Sequence, residues 1–497
     1  MPPTGTSRFA APKPPLNTPA VQLAYTEPPF CYLASPWGLS DTNPFSRSGT
    51  ALPLTPETGD FDPQSSEDCL FLNVVTPGKL GDKKNLPVVV WIYGASDSGI
   101  GILFDGNDLV RASGGEVVAV AIQYRAGLFG FLAGQKVKEG GALNAGLLNQ
   151  QFALQWVQKH IAKFGGDPRK VTIWGESAGA GSVLQHVVAN GGKTKPSLFR
   201  AAMTSSTFLP SQYQYNSRIP EAIYNQVLSL TNCTTAKDSL ECLRHAPIEV
   251  LQAANAVILH HGFYGTFTFV PVVDGSLIID NPTKLIQQGK VNTKHVYSVT
   301  NSFEGAIFID PTKAATMQVV EYVSQLYPTL SSRDAAVVST RYSSLGSNAT
   351  QAALVIGESI FICPTYTLLS PLGRDTFKAE FAFPPGTHSA DEAYYYNAYV
   401  ASPLKLVVNF EHYCGLQWDS GKFADGVNVD AATTFAQPFM NFVKHLDPSV
   451  QDTSSNISLA NWKTWNGRNE LVFNQTSAGA PDVRPGRTSI DLLSRCQ

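Results

Sequence analysis

The feature that most constrains the fold is a short motif near the middle of the chain. An apolar, β-branched run at 171–174 (VTIW) leads directly into residues 175–179 (GESAG). Glycines two residues before and two after Ser177 let a strand and the next helix come close together, because neither carries a Cβ that would clash. Residues 178–190 are small and apolar with few breakers, which predicts that helix. The motif therefore places Ser177 in a sharp turn near the positive end of a helix dipole, as a candidate nucleophile.

The segments before this motif alternate between strand and helix. Residues 86–93 and 117–124 are continuous apolar runs, as expected for strands covered on both faces. Apolar residues then recur at helical spacing between Ala153 and Phe164, and 165–168 (GGDP) ends that helix. This order is typical of a parallel sheet with right-handed crossovers. The predicted fold class is therefore α/β, with a central, mostly parallel sheet flanked by helices.

The second half of the chain gives weaker signals. It predicts three further strands and three helices, at 200–205, 295–300, 376–383, 219–228, 351–369 and 431–445. No internal repeat, low-complexity tract or linker divides the chain. We therefore expect one large domain over residues 1–497, with loop and helical insertions.

Composition limits the partners that this chain can have. A hydrophobic content of 43% and a charged content of 15% are typical of a packed globular protein. The net charge of −3 gives no electrostatic reason to expect nucleic acid or an anionic membrane. We find no apolar run of the roughly 18 residues that a membrane span needs, so no transmembrane segment is predicted. Oligomeric state is not indicated by the sequence.

A serine hydroxyl needs a base to take its proton and a third group to orient that base. After a strand–turn–helix serine motif, the acid and then the histidine follow along the chain. The histidines after Ser177 are His186, His245, His260, His261, His295, His388, His412 and His445. We favour His388, because residues 383–389 form a loop just after a late strand. His186 lies on the helix after the motif and is expected to be a packing residue.

Two acidic residues compete for the third position. Glu304 lies in residues 300–305 (TNSFEG), a loop directly after a predicted strand. Asp274 precedes Gly275 and is expected to be a turn residue in an Asp-Gly corner. We favour Glu304; for both Glu304 and His388 the alternative is a surface-loop residue with a local hydrogen bond.

Several segments resemble, in order, motifs of the type-B carboxylesterase/lipase family. They are residues 67–73 (EDCLFLN), 89–94 (VVWIYG), 123–125 (QYR), 144–148 (NAGLL), 164–168 (FGGDP) and 175–180 (GESAGA). The family has the α/β-hydrolase fold and includes fungal lipases, carboxylesterases and cholinesterases. The resemblance is dense from Phe30 to about Ser205 and thinner, but in order, beyond it. It implies a serine ester hydrolase acting on a small-molecule or lipid ester, with neither a metal nor an organic cofactor.

The same resemblance implies roles for individual residues. The family's acid lies in an N-x-x-E-G segment, which residues 301–305 match at Glu304, and its histidine opens a loop similar to 386–391. Its oxyanion hole would use the backbone N–H groups of Ala95, Ser96 and Ala178. This chain departs from the family there, because residues 94–97 read GASD where the family has three glycines and an aromatic residue. A carboxylate at Asp97 would repel an oxyanion unless it is paired or faces water.

Seven cysteines allow disulfides. The pairs Cys31/Cys69 and Cys233/Cys242 suit one long and one short loop, and Cys363, Cys414 and Cys496 remain unassigned. Reduced thiols throughout are the alternative. The resemblance implies that the bridge Cys31–Cys69 closes a lid loop over 31–69, and that Cys233–Cys242 is a second bridge. Apolar residues of that loop either cover an acyl pocket or pack on the surface.

The sequence gives mixed indications about location and activity. Sequons at Asn232, Asn348, Asn456 and Asn474 favour a secreted glycoprotein. The chain as given shows no signal peptide, and residues 2–9 resemble a family segment that normally follows one and an N-terminal hairpin, which implies that both are missing. The same fold also serves non-catalytic binding proteins. An inactive binding protein therefore stays open as the alternative to an ester hydrolase, and the acyl chain preferred is not indicated.

Overall fold

One twisted sheet organises the part of the chain that the structure describes. This computed structural model describes all residues except 1, 17–20, 22, 25–27, 35–36, 47–63, 95–104, 397–428, 451–458 and 460. Within those limits the sheet contains nine strands in the order β1-β3-β2-β4-β5-β6-β7-β8-β9. The strands are β1 Leu72–Val75, β2 Leu86–Ile92, β3 Val118–Ile122, β4 Gly166–Glu176, β5 Ala201–Ser205, β6 His295–Asn301, β7 Thr376–Phe381, β8 Asn469–Gln475 and β9 Pro481–Arg487.

The sheet is parallel except at its two edges. β1 pairs antiparallel with β3, and β9 pairs antiparallel with β8. Every pair from β3 across to β8 is parallel. Parallel strands have their carboxyl ends at one edge, where the loops that follow β4, β6 and β7 lie together. The predicted α/β class with a mostly parallel sheet is confirmed.

Helices flank this sheet. They are Gly106–Ala112, Gly127–Phe131, Gln135–Gly140, Ala145–His160, Ala178–Val188, Arg218–Leu230, Ser239–His245, Ile248–His260, Pro282–Gln287, Val319–Leu326, Ser332–Tyr342, Asn348–Gly357, Cys363–Leu369, Glu392–Tyr395, Val429–His445 and Ile490–Arg495. Short 3-10 turns occur at Gly5–Ser7, Ile161–Phe164, Ala189–Gly191, Ala306–Phe308 and Gly373–Asp375, and one π turn spans Glu358–Ile362. Each strand predicted from the sequence is present. The predicted helices are present too, but the one over 351–369 is interrupted by the π turn and the one predicted from Ala153 begins at Ala145.

The core of the protein lies on the central strands. Trp91 of β2 and Trp174 of β4 are register partners and pack edge to face, with ring centroids 5.0 Å apart. Trp174 also stacks on Phe439 of the helix Val429–His445, at 4.4 Å. Both tryptophans are at most 1% exposed. Such large apolar contacts make the strands that carry the functional loops a rigid base.

One helical stretch corrects the prediction that no segment is long and apolar enough to span a membrane. Residues Asn348–Leu369 are long and apolar enough to cross a membrane by length and composition, and 67% of the most apolar window is buried inside the protein. The π turn at Glu358–Ile362 interrupts this stretch, which the sequence predicted as one helix. Because most of it packs inside the molecule, we interpret it as a core helix.

Three disulfides connect described residues. Cys31–Cys69 and Cys233–Cys242 are the pairs favoured from the sequence. The third, Cys363–Cys496, joins residues 133 positions apart and holds the helix Ile490–Arg495 against the helix Cys363–Leu369. Cys414 lies outside the described residues.

Candidate active site

The turn after β4 holds Ser177 in a conformation that few residues adopt. Its φ is +53° and its ψ is −121°, and its N–H donates to the carbonyl of Ser205 at 3.0 Å. The flanking glycines are required by close backbone approach. A Cβ on Gly179 would lie 2.0 Å from the carbonyl oxygen of Ile92, and one on Gly175 would lie 2.5 Å from the carbonyl carbon of Gly179. The local sequence thus fixes Ser177 at the carboxyl end of β4, directly before the helix Ala178–Val188.

The structure brings Ser177, His388 and Glu304 into one hydrogen-bonded chain. His388 Nε2 lies 2.9 Å from Ser177 Oγ, and His388 Nδ1 lies 2.7 Å from Glu304 Oε2. All three residues are at most 2% exposed. With the proton on Nδ1 donated to Glu304, Nε2 is left to accept the serine proton.

Neighbouring strands of the sheet position the two partners of the serine. Glu304 is the third residue after the end of β6, and His388 lies in the loop that follows β7. The N–H of Phe303 donates to the carbonyl of Gly386 at 2.8 Å, so the two loops are tied together. Because β6 and β7 are adjacent and parallel, their carboxyl ends bring an acid and a base together from distant parts of the sequence.

The orientation of the Glu304 carboxylate is set by two donors on one oxygen. Its Oε1 accepts from the backbone N–H of Asn301 at 2.7 Å and from Ser206 Oγ at 2.8 Å. The other oxygen, Oε2, faces His388 Nδ1. Sequence reasoning did not find Ser206 or Asn301, which act through contacts that appear only in the folded chain.

A second buried carboxyl group lies behind this chain of contacts. Asp391 Oδ1 accepts from Asn301 Nδ2 at 3.0 Å, and its Oδ2 accepts from the Tyr395 hydroxyl at 3.3 Å. The pKa of Asp391 is raised to about 6, mainly by burial; the charge of Glu304 also raises it, whereas the Asn301 hydrogen bond and His388 lower it. Its position three residues after His388 was the one sequence signal for it. Asp391 ties the loop that carries the histidine to the strand that precedes the acid.

Replacing Asp391 by asparagine is expected to make stability less dependent on pH. In the native protein the pKa is about 6 against 3.8 for an ordinary aspartate, so folding favours the neutral form. That stabilisation is complete below pH 3.8 and is lost as the pH rises through about 6, at a cost of about 3 kcal/mol by pH 8. Asparagine stays neutral and can accept the same Asn301 bond.

Thermal unfolding of the wild type and Asp391→Asn at pH 5 and pH 8 measures this effect. We expect the unfolding temperature of Asp391→Asn, relative to that of the wild type, to be higher at pH 8 than at pH 5. Asp280→Asn is the control: the hydrogen bond from Lys284 lowers the pKa of Asp280, so this carboxylate is charged in both states at pH 5 and pH 8 and its replacement should shift stability equally at the two pH values. An equal difference between Asp391→Asn and the wild type at both pH values would contradict the prediction.

A third carboxylate also faces the imidazole. Glu176, the residue before the serine, is fully buried, and its Oε1 lies 3.4 Å from His388 Nε2 and accepts from Ser389 Oγ at 2.7 Å. Two carboxylates, those of Glu304 and Glu176, therefore lie beside this imidazole. Phe361 and Phe308 pack against the same ring, with centroids 4.3 Å and 5.2 Å away. These apolar neighbours reduce access of water to the imidazole.

An apolar cleft opens beside the serine turn. Its walls include Gly94 and Ala178, and Leu33 and Ala34 come from the loop closed by Cys31–Cys69. Ala178 is the first residue of its helix, where a backbone N–H has no intrahelical acceptor. The other predicted oxyanion residues, Ala95 and Ser96, lie outside the described residues, as does Asp97.

Asp274 and His186, the alternatives to Glu304 and His388, have local structural contacts. Asp274 Oδ1 accepts from the N–H groups of Ser276 and Ile278 and so stabilises a local turn. His186 is buried on the helix after the serine, where Nε2 lies 3.0 Å from Gln150 Oε1 and burial lowers its pKa to about 4. Neither residue hydrogen-bonds to Ser177, His388 or Glu304 in the described structure.

Comparison with known proteins now identifies the family. A model of the carboxylesterase family matches residues 1–480. The chain belongs to the carboxylesterase family. The secreted triacylglycerol lipase LIP1 of Gibberella zeae is 37% identical over 346 residues, which are 66% of this chain and 57% of that protein. Lipase 2 of Geotrichum candidum is 31% identical over 417 residues, or 78% of this chain and 70% of the relative.

Solved structures show the same fold. The crystal structure of Aspergillus niger EstA superposes with a TM-score of 0.78 at 28% identity, covering 100% of this chain and 91% of that one. The predicted α/β-hydrolase fold is therefore confirmed. The match to LIP1 spans little more than half of that lipase, so its activity is not transferred to this carboxylesterase-family chain by similarity alone.

Proposed function

We propose that this carboxylesterase-family protein is a serine ester hydrolase, a carboxylesterase or lipase. The observation that carries the proposal is the hydrogen-bonded chain from Ser177 Oγ through His388 to Glu304 beside an apolar cleft. Ser177 is the proposed nucleophile, His388 the general base and then general acid, and Glu304 the group that orients the imidazole. Relatives named as lipases support this reading over that of a binding protein.

The proposed reaction passes through an acyl-enzyme. Ser177 Oγ attacks the ester carbonyl carbon while its proton moves to His388 Nε2, and the carbonyl oxygen becomes an oxyanion. Glu304 offsets the positive charge on the imidazolium. His388 then gives the proton to the leaving alcohol as the carbon–oxygen bond breaks. Water, deprotonated by His388, attacks the acyl-enzyme and releases the acid and Ser177.

The N–H of Ala178, with those of Ala95 and Ser96, forms the proposed oxyanion hole. The helix that begins at Ala178 also directs its positive dipole end at this position. Losing one donor costs about 3–4 kcal/mol of transition-state stabilisation. A Cβ at a position with positive φ costs only about 1–2 kcal/mol. Side chains at 95 and 96 therefore affect activity less than the loss of a donor would.

Two further points extend the proposal. The substrate is a small-molecule or lipid ester whose acyl group enters the apolar cleft, beside Leu33 and Ala34 of the predicted lid loop 31–69. Residues 35–36 and 47–63 of that loop lie outside the described residues. The protein is proposed to be a secreted glycoprotein. A relative described as a secreted lipase supports this, as does the exposed sequon residue Asn232 beside the Cys233–Cys242 bridge.

Covalent labelling tests the assignment of the nucleophile. Incubation with diethyl p-nitrophenyl phosphate should abolish p-nitrophenyl butyrate hydrolysis with one adduct per chain, located on Ser177 by peptide mass spectrometry. Ser182 is an internal control, because its hydroxyl accepts from Gln150 and no histidine of the described structure hydrogen-bonds to it. Full ester hydrolysis in protein that carries the Ser177 adduct, or inactivation without that adduct, would refute the proposal.

A further inference from the structure

Two glutamines form a hydrogen-bonded pair in the wall of the mostly apolar cleft. Gln185 Nε2 donates to Gln212 Oε1 at 2.8 Å, and Gln212 Nε2 donates to Gln185 Oε1 at 3.3 Å. Both side chains line the cleft, and Gln185 is 3% exposed. The mutual bonds use one donor and one acceptor position on each amide. Each glutamine therefore keeps an N–H and an oxygen lone pair for another partner.

The position of this pair follows from helix geometry. Residues 178, 181, 182 and 185 all line the cleft and lie on one face of the helix Ala178–Val188. At 1.5 Å per residue, Gln185 lies about 10 Å along the axis from Ala178, the length of an extended chain of about eight carbons. The glutamine pair thus lies at the far end of a cleft that begins beside the serine turn.

Other polar groups in the cleft are already engaged. The hydroxyl of Tyr93 donates to the carbonyl of Tyr124, and the hydroxyl of Tyr124 donates to the carbonyl of Tyr93, each at 2.8 Å. Ser182 Oγ accepts from Gln150 Nε2 at 3.0 Å. The glutamine pair is therefore the part of the described cleft wall best able to recognise a polar group on a substrate.

We propose that Gln185 and Gln212 form a specificity subsite for an acyl group that carries a hydroxyl about eight carbons from the ester carbonyl. The inference rests on the proposed esterase function. The leaving alcohol must stay near His388, which protonates it. Gly94 and Ala178 line the cleft and lie on the side where the oxyanion of the acyl carbonyl would form. The acyl group is therefore the part of the ester that extends toward the glutamines.

The expected selectivity is moderate. A plain alkyl terminus would cover the free N–H and oxygen of the pair without replacing their bonds to water, which is unfavourable. The two amides nevertheless keep their mutual bonds, so the penalty is that of incomplete pairing rather than of a fully unpaired group. We expect about a tenfold preference in kcat/KM for the hydroxylated acyl chain.

The test compares p-nitrophenyl 8-hydroxyoctanoate with p-nitrophenyl octanoate. The wild type should prefer the first about tenfold, and Gln185→Leu and Gln212→Leu should each bring the ratio close to one. The double variant should show no larger effect than either single one, because the pair acts as a unit. Gln158→Leu is the matched control: this half-buried glutamine donates to the carbonyls of Pro168 and Leu198, outside the cleft, and its loss should leave the ratio unchanged.

p-Nitrophenyl acetate separates failure of the subsite from failure of the proposed function. Its acyl group is too short to reach the glutamines, so the wild type and the control Gln158→Leu should hydrolyse it at similar rates. The subsite alone would be overturned if the enzyme hydrolyses the acetate but the ratio of kcat/KM for the 8-hydroxyoctanoate to that for the octanoate is the same in the wild type and in both single variants. No acetate hydrolysis by the wild type would overturn the ester hydrolase function itself. An equal preference for a hydroxyl on the alcohol side, tested with 8-hydroxyoctyl butyrate, would refute the acyl assignment.

Discussion

Replacing Ser177 by alanine is expected to lower kcat for p-nitrophenyl butyrate by about 10⁶-fold. The substitution removes the one oxygen that lies 2.9 Å from His388 Nε2 and so prevents acyl-enzyme formation. The oxyanion donors and the cleft remain, so a residual acceleration of about 10³–10⁴ over water is expected from them. The measurement is the initial rate of p-nitrophenol release, with the burst at high enzyme concentration as a second readout.

The control is a serine on the same helix. Ser182→Ala removes the hydroxyl that accepts from Gln150 and leaves the Ser177–His388 contact intact, so kcat should stay within a few fold of the wild type. Both variants should unfold at temperatures close to that of the wild type, because neither creates a large cavity. A Ser177→Ala protein with a rate within tenfold of the wild type would contradict the assignment of the nucleophile.

Local patterns predicted the elements that carry the candidate site. The glycines around Ser177 and the apolar strand before it specify the turn, because a Cβ at either glycine would meet backbone atoms. His388 is 211 residues from Ser177 and Glu304 is 84 residues from His388, and both were predicted from the rule that functional groups follow parallel strands, together with the family resemblance. Chain order and strand ends are informative because a parallel sheet brings those ends to one edge.

The groups that support Glu304 could not be read from local sequence. Ser206 follows β5 and Asn301 ends β6, and their contacts depend on how these two strands pair. The π turn at Glu358–Ile362 was also missed, because its sequence is as apolar and helix-compatible as its neighbours. In the fold, Glu358 pairs with Arg495 at 2.6 Å, next to Cys496 and its bridge to Cys363. These are contacts over more than a hundred residues, which periodicity does not encode.

Strands β8 and β9, the last two of the sheet, could not be predicted from local sequence either. β8 and β9 include polar and charged residues, and only β8 has a clearly buried face, so no strong alternation marks them. β9 is held by pairing with β8 over residues from Asn469 to Gln475. Because one sheet takes strands from Leu72 to Arg487, we propose that the chain forms a single domain with insertions.

Replacing Glu304 by glutamine is expected to lower kcat by about 10⁴-fold while the fold is kept. In the native site Oε1 accepts from Asn301 N–H and Ser206 Oγ, so a glutamine oxygen would take that position. Its amide NH₂ would then face His388 Nδ1, which can meet it only as an acceptor. The imidazole would carry its proton on Nε2 and could no longer take the proton of Ser177.

Four measurements separate this tautomer effect from simple damage to the site. Glu304→Gln should unfold within a few degrees of the wild type, and its KM should change little, since the loss lies in the chemical step. Glu304→Asp keeps an anionic acceptor at a longer distance and should recover a large part of the lost activity. Raising the pH should not restore Glu304→Gln to the wild-type rate, because an imidazole that is already neutral holds its proton on the wrong nitrogen. A Glu304→Gln protein with kcat within tenfold of the wild type would show that another group, with Glu176 at 3.4 Å from Nε2 the nearest candidate, orients the histidine.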